Sequence, residues 1–369
     1  MTAPRLKELR LGPGDHPGFS IGFKGDHKLN LDPAEWIDAG FDGIRIIGAG
    51  RGLTRIRAED GYHDSTLFVG PHNGIVQLES LTLHVAKRKG WHMGLAKQPL
   101  YPKFCARARD LEMVADGTNQ DGGRRAWGLF TYQCDQDLED CVFETTDLAE
   151  HADYAHGGWA KLGRRWSRVE VHGSGSQGSK TRFDASEGVW VRGAKNVYQD
   201  CMFKGFGQPW GWRGGAGIVV EGGMSDVLIE RCGFFGRPGE FRCLMIDDGA
   251  GSFRAMNAPH ANGWVIVRAS GFTGGPGSAS YSPIMRVGST AVNSTWPTAK
   301  GVLVQGCAVY GERTLGQFGQ IPVGKLKAQG CNTPQLKDIA TGYGFDTTHQ
   351  SQLVGNAGVF VPFSAGISR

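Results

Sequence analysis

The segment Glu150-His151-Ala152-Asp153-Tyr154-Ala155-His156 concentrates groups that take, give or hold protons. His151, Tyr154 and His156 supply bases for removing a proton from a carbon beside a carboxylate, the opening step of a β-elimination. Arg164 and Arg165, a few residues on, supply positive charge to neutralise a uronate carboxylate as that proton leaves. The same segment also reads as a polar loop. His151, Asp153 and His156 are ligand types for zinc, but no Cys or distant fourth ligand completes the set, and no metal is assigned.

Hydrolysis of a glycosidic bond needs two carboxyl groups about 5 to 9.5 Å apart, one protonated and one ionised. Asp247 and Asp248 end a strand-like run, while Asp184 and Glu187 precede another. Adjacent strand residues point to opposite faces, so Asp247 and Asp248 do not form a pair without a bulge, and either needs another carboxylate. Solvated turn carboxylates are the alternative reading. The loop Gln208-Pro209-Trp210-Gly211-Trp212-Arg213 offers Trp210 and Trp212 for stacking on a sugar face or a protein neighbour, with Arg213 beside them. The glycines from Gly173 to Gly178 lack the lysine of a phosphate-binding loop.

The elements that hold these residues are strands. Of 369 residues, 58 are Gly, and 19 Phe, 10 Trp and 8 Tyr are too many for a disordered chain. Gly follows no three-residue period, which excludes collagen. With 40 Lys and Arg against 36 Asp and Glu the net charge is +4. No run of five like charges occurs, so no nucleic-acid partner is expected. No apolar stretch of about 18 residues suggests a membrane span. The start, Met1-Thr2-Ala3-Pro4-Arg5-Leu6-Lys7, lacks the pattern of a secretory leader, so folding in a reducing cytoplasm is expected.

Cysteines give the register of a repeat. Around Cys141, Cys201, Cys232, Cys307 and Cys331, inward-type residues recur five and three positions before and two after. Val227, Ile229, Cys232, Phe234 and Val302, Val304, Cys307, Val309 are the clearest cases. Val76, Leu78, Leu81, Leu83 and Val265, Val267, Ser270, Phe272 follow the same pattern. Anchors at 81, 111, 141, 169, 201, 232, 270, 307 and 331 give a repeat of about 30 residues. The odd step before each anchor predicts a two-residue bend, such as Glu230-Arg231, between two period-two runs. A further short strand precedes most anchors. Three short strands per repeat, with no helix between them, predict an all-β, single-stranded right-handed parallel β-helix of roughly 9–10 coils. The cysteines are read as a stacked apolar ladder, since Ser270 replaces one without disturbing its neighbours.

Within this register, Gly43-Ile44-Arg45-Ile46-Ile47-Gly48-Ala49-Gly50-Arg51-Gly52-Leu53-Thr54-Arg55-Ile56 resembles the first coil of pectin-lyase-like β-helix proteins. The resemblance implies a short N-terminal capping helix, matched by Pro33 to Ala39 with Asp32 as its N-cap. The expected division is a segment and cap at 1–40, the β-helix at 41–335, and a cap or tail at 336–369. Lyases of the superfamily use an Arg or Lys base beside carboxylate-bound calcium, so calcium is the cofactor implied if this chain is a lyase; otherwise none is assigned. Asp247-Asp248 is similar to the Asp-Asp pair of polygalacturonases, but the Gly-His-Gly and Arg-x-Lys partners are not found.

Two functions fit. The first is a virion-associated structural or glycan-binding protein of the phage tail-spike or capsid-decoration type, with a glycan or other virion proteins as partners. Side-by-side coils suit a homotrimer, placed on the virion or an extracellular surface after cytoplasmic folding. The second is a polysaccharide lyase or glycoside hydrolase acting on an acidic glycan, through the histidine and tyrosine cluster or through Asp247 with another carboxylate.

Overall fold

The computed structural model describes residues 2–22, 29–57, 65–85, 89–94, 101, 103–115, 127–132, 134–145, 148–153, 163–173, 189–191, 195–206, 218–221, 226–236, 244–247, 264–273, 285–287, 301–310, 316–318 and 326–329. The strands at 148–153, 189–191, 244–247, 285–287, 316–318 and 326–329, and several strand ends, are described by backbone position alone. The chain forms two units, residues 1–184 and 185–369. Each is a stack of parallel coils.

In unit 1 the strand Ile75–Val85 pairs in parallel with Gly43–Ile47 on one side and with Cys105–Ala115 on the other, residue for residue down the repeat. Cys105 then registers with Asp135, and Gln136 with Arg164. Unit 2 repeats the arrangement through Lys195–Gln199, Asp226–Glu230, Trp264–Arg268, Gly301–Gln305 and Leu326–Gln329. The expected inward positions are the core. Val76, Leu78, Leu81 and Leu83 are fully buried in unit 1, as are Val265, Val267 and Phe272 in unit 2.

The bend before each anchor has a single cause. Ser80, Asp110, Asp140 and Arg168 in unit 1, and Asp200, Arg231, Ala269 and Gly306 in unit 2, all have φ between 49° and 59°. One left-handed residue reverses the alternation, so the runs on both sides keep their apolar residues inward. Only Gly306 adopts this conformation without steric cost.

Aromatic rings two positions after the anchor stack along the core: Phe203 on Phe234 and Phe234 on Phe272, each with centroids 4.9 Å apart. None of the described cysteines is in a disulfide, and Cys141, Cys201, Cys232 and Cys307 are buried as a ladder requires.

The start of the solenoid differs from expectation. Leu6–Arg10 already pairs with Gly43–Ile47, Gly14–Pro17 with Thr54–Arg57, and Phe19–Ile21 with Ser65–Val69. Residues 6–21 are therefore a coil rather than part of a leading cap segment. The helix spans only Ala34–Ile37 and lies between the first two coils in the sequence. The Asp32 carboxylate accepts the Ala34 N–H at 2.9 Å, Pro33 is already helical, and Trp36 is buried. The tail at 336–369 lies outside the described residues.

Candidate functional site

In unit 1 the strand following each bend pair belongs to a second sheet, which runs through Phe19–Ile21, Ser65–Val69, Lys89–Met93, Trp127–Tyr132 and Leu148–Asp153. One face of it is core: Leu67, Val69, Trp91, Met93, Leu129 and Thr131 are fully buried. Alternation puts the opposite row at Ser20, Phe68, His92 and Phe130, and His151 holds the next register position. The His92 ring is held edge-on between Phe68, at 4.6 Å, and Phe130, at 5.0 Å. Its Nδ1 lies 3.4 Å from Ser65 Oγ. All three rings are buried, so the row is shielded at these rungs.

Two residues along the strand from His151, Asp153 pairs with Tyr132 of the preceding coil. Parallel strands lie about 4.8 Å apart and residues two apart about 6.6 Å, so the backbones of Tyr132, His151 and Asp153 converge on one small area. Glu150 instead holds the register of Leu129, a core residue. Tyr154 and His156 lie outside the described residues. Tyr132 was not singled out from sequence, because its closeness to Asp153 depends on the register between coils.

In unit 2, Asp247 ends its strand in register with Glu221 of the preceding coil. This register supplies the second carboxylate that Asp247 lacked in the sequence. Parallel strands lie about 4.8 Å apart, so the backbones of Glu221 and Asp247 are direct neighbours. On the following coil Arg286 is in register with Met245, two residues before Asp247. Asp248, Trp210, Trp212 and Arg213 lie outside the described residues.

The two arginines proposed to meet a substrate carboxylate point in opposite directions. Arg164 is 2% exposed. Its Nε donates to Gln136 Oε1 at 3.0 Å, an oxygen that also accepts from Trp166 Nε1 at 3.2 Å. Gln136 Nε2 donates to Thr131 Oγ1 at 2.8 Å. Alternation places Arg164 inside with Trp166, so it serves the core and does not meet a substrate on the surface. Arg165 is exposed, in a row with Asp137 and Arg107, whose Nε is 3.9 Å from Asp137. Beside them, burial pushes the Asp135 carboxyl up, while the Gly163 N–H that donates to it at 2.6 Å pulls the other way.

Among the described residues no group of three or more His, Cys, Asp or Glu is arranged to hold a metal ion. None of the described helices is long and apolar enough to cross a membrane.

No protein-family model matches the sequence, and no curated protein matches it. Among solved structures the chain is similar to the A-module of the Azotobacter vinelandii mannuronan C-5 epimerase AlgE6. The TM-score is 0.41 and the identity 12%, over 89% of this chain and 92% of that one. The fold is a parallel β-helix, as the coil pairing itself requires.

Proposed function

We propose that this β-helix is an enzyme that cleaves an acidic polysaccharide by β-elimination, at the area where Tyr132, His151 and Asp153 converge. The observation that carries the reading is the register of Phe130 with His151 and of Tyr132 with Asp153. It brings two proton-transfer groups and a carboxylate onto neighbouring strands. In the reaction, a base removes the proton on the carbon beside the uronate carboxylate. The carbon–oxygen bond to the leaving sugar breaks, a carbon–carbon double bond forms, and the departing oxygen takes a proton. Tyr132 and His151 are the groups for these two transfers.

A second reading, hydrolysis, is favoured by the register of Glu221 with Asp247. One carboxyl would protonate the leaving oxygen and the other would attack or activate water. The virion-associated reading gains no support from the fold, since parallel coils serve spikes and enzymes alike.

The test is incubation with acidic and neutral polysaccharides, with calcium and with chelator. Rising absorbance near 235 nm is expected with an acidic member. Reducing ends without absorbance would replace elimination by hydrolysis, and silence across the panel would overturn the enzymatic reading.

A further inference from the structure

In unit 1, His72 lies in the turn between the strands Ser65–Val69 and Ile75–Val85 and is buried. Its Nδ1 is 2.9 Å from the Gly70 carbonyl oxygen, which can only accept, so the proton of the neutral ring sits on Nδ1. Nε2 then carries a bare lone pair, shielded from solvent and without a hydrogen-bond partner among the described residues. Its surroundings are apolar. The Phe104 ring stands edge-on to the imidazole at 5.5 Å. On the Nε2 side, a Cβ on Gly74 would sit 3.3 Å from Nε2 and 3.3 Å from Ile37 Cδ1, so the imidazole edge and the helix Ala34–Ile37 meet over that glycine. The neutral ring leaves only an acceptor unpaired here. An imidazolium would bury an N–H and a charge with nothing to receive them.

Among the described residues, the elements packed on the ring supply no counter-charge. On the helix side Asp32, Glu35 and Asp38 are exposed. Beside Phe104, Lys103 is exposed, and its Nζ pairs with Asp42 at 2.7 Å. Asn73 Oδ1 accepts the Lys103 N–H at 3.1 Å. Burial lowers the basicity of His72 and the Gly70 carbonyl raises it, and these two influences set its titration. A neutral His72 therefore contributes stability that is full above the unfolded value of about 6.5 and is lost as pH falls through the lower folded one. We propose that His72 is an acid-sensitive latch: protonation at Nε2 drives the ring out from between Phe104 and Ile37 and frees the turn His72–Gly74 and the helix Ala34–Ile37 from the stack.

Hydrogen exchange on the full chain, at about pH 7.5 and about pH 5, tests this, with each rate taken relative to an unstructured chain at the same pH. The amides of Ile37 and Gly74 donate to Pro33 and His72 when the latch is closed. Their protection should fall at least about tenfold at the lower pH, while the core strand amides of Val76 and Leu78 keep theirs. Asp42, held low by its hydrogen bond from Lys103, stays ionised there, so that pair does not open in the same window. His72→Asn keeps a donor for Gly70 and His72→Phe keeps a ring, but neither gains a charge, so in both the protection of Ile37 and Gly74 should no longer depend on pH. Equal protection of Ile37 and Gly74 at the two pH values in the unsubstituted chain, or a pH-dependent loss that persists in both variants, would overturn the proposal. So would a loss shared by Val76 and Leu78, since the change would then be global.

Discussion

Arg168 reaches back one coil to Asp140, its Nε donating to Oδ1 at 2.6 Å and its Nη2 to Oδ2 at 2.9 Å. Both residues occupy left-handed bends. Unit 2 repeats the device, with Arg231 donating to Asp200 at 2.7 and 2.8 Å. The exposed edge of the stack is thus held by a two-bond fork between successive bends. These pairs are solvent-exposed, so Arg231→Gln should lower the urea midpoint only slightly, and the difference should vanish in molar salt. A large loss that persists in high salt would contradict this.

The same pairing sets a pH dependence. Arg168 holds the Asp140 carboxyl below its ordinary value, and hydrogen bonds from Gln199 and Arg268 do the same for Glu230. A lowered folded-state pKa adds stability that is full above the unfolded value and is lost as pH falls through the folded one. Stability should therefore decline below about pH 4, and Asp140→Asn should flatten part of that decline. Equilibrium urea unfolding between pH 2 and 6 checks it.

Ala269 pays for its left-handed φ of 49° without a side-chain bond in return. Ala269→Gly should stabilise the fold by about 1 kcal/mol, and Gly306→Ala, at φ 59°, should cost a similar amount. Paired denaturation curves decide; destabilisation by Ala269→Gly would contradict the account of the bend.

Trp264 lies over Gly301 so closely that a Cβ there would sit 2.1 Å from its ring. Gly301→Ala should cost about 1–3 kcal/mol by overpacking, and Trp264→Leu in the same chain should recover most of it. No recovery in the double variant would mean that Gly301 is needed for another reason.

Burial pushes the Cys105 and Cys141 thiols up to about 12. The chain has eight cysteines, and none of the six described is in a disulfide. At pH 8 a thiol reagent should label at most Cys243 and Cys331 in the native protein, and all eight after denaturation.

The coil was legible because its signal is local. Cys232 and Ser270 swap at one position, and Val227, Ile229 and Phe234 keep the period on both sides of the bend. The coil at Leu6–Arg10 was missed because that strand lacks the four-position pattern; it is recognised only by its pairing with Gly43–Ile47. Arg164 was misplaced by reading two adjacent arginines as one surface feature, although Trp166 two residues on already put Arg164 on the inner face. The partners Tyr132 and Glu221 were hidden for a different reason. Register across coils depends on connections of unequal length, so residues about 20 to 26 positions apart meet without any periodic sign in the sequence.

The most direct measurement of the central claim is the rate of absorbance gain near 235 nm on the best acidic polysaccharide, for the full chain and for three variants. Tyr132→Phe and His151→Ala should each lower the rate by about a hundredfold or more, while Asp247→Asn leaves it nearly unchanged. An unchanged rate in both Tyr132→Phe and His151→Ala, or a loss confined to Asp247→Asn, would contradict the elimination site assigned to unit 1.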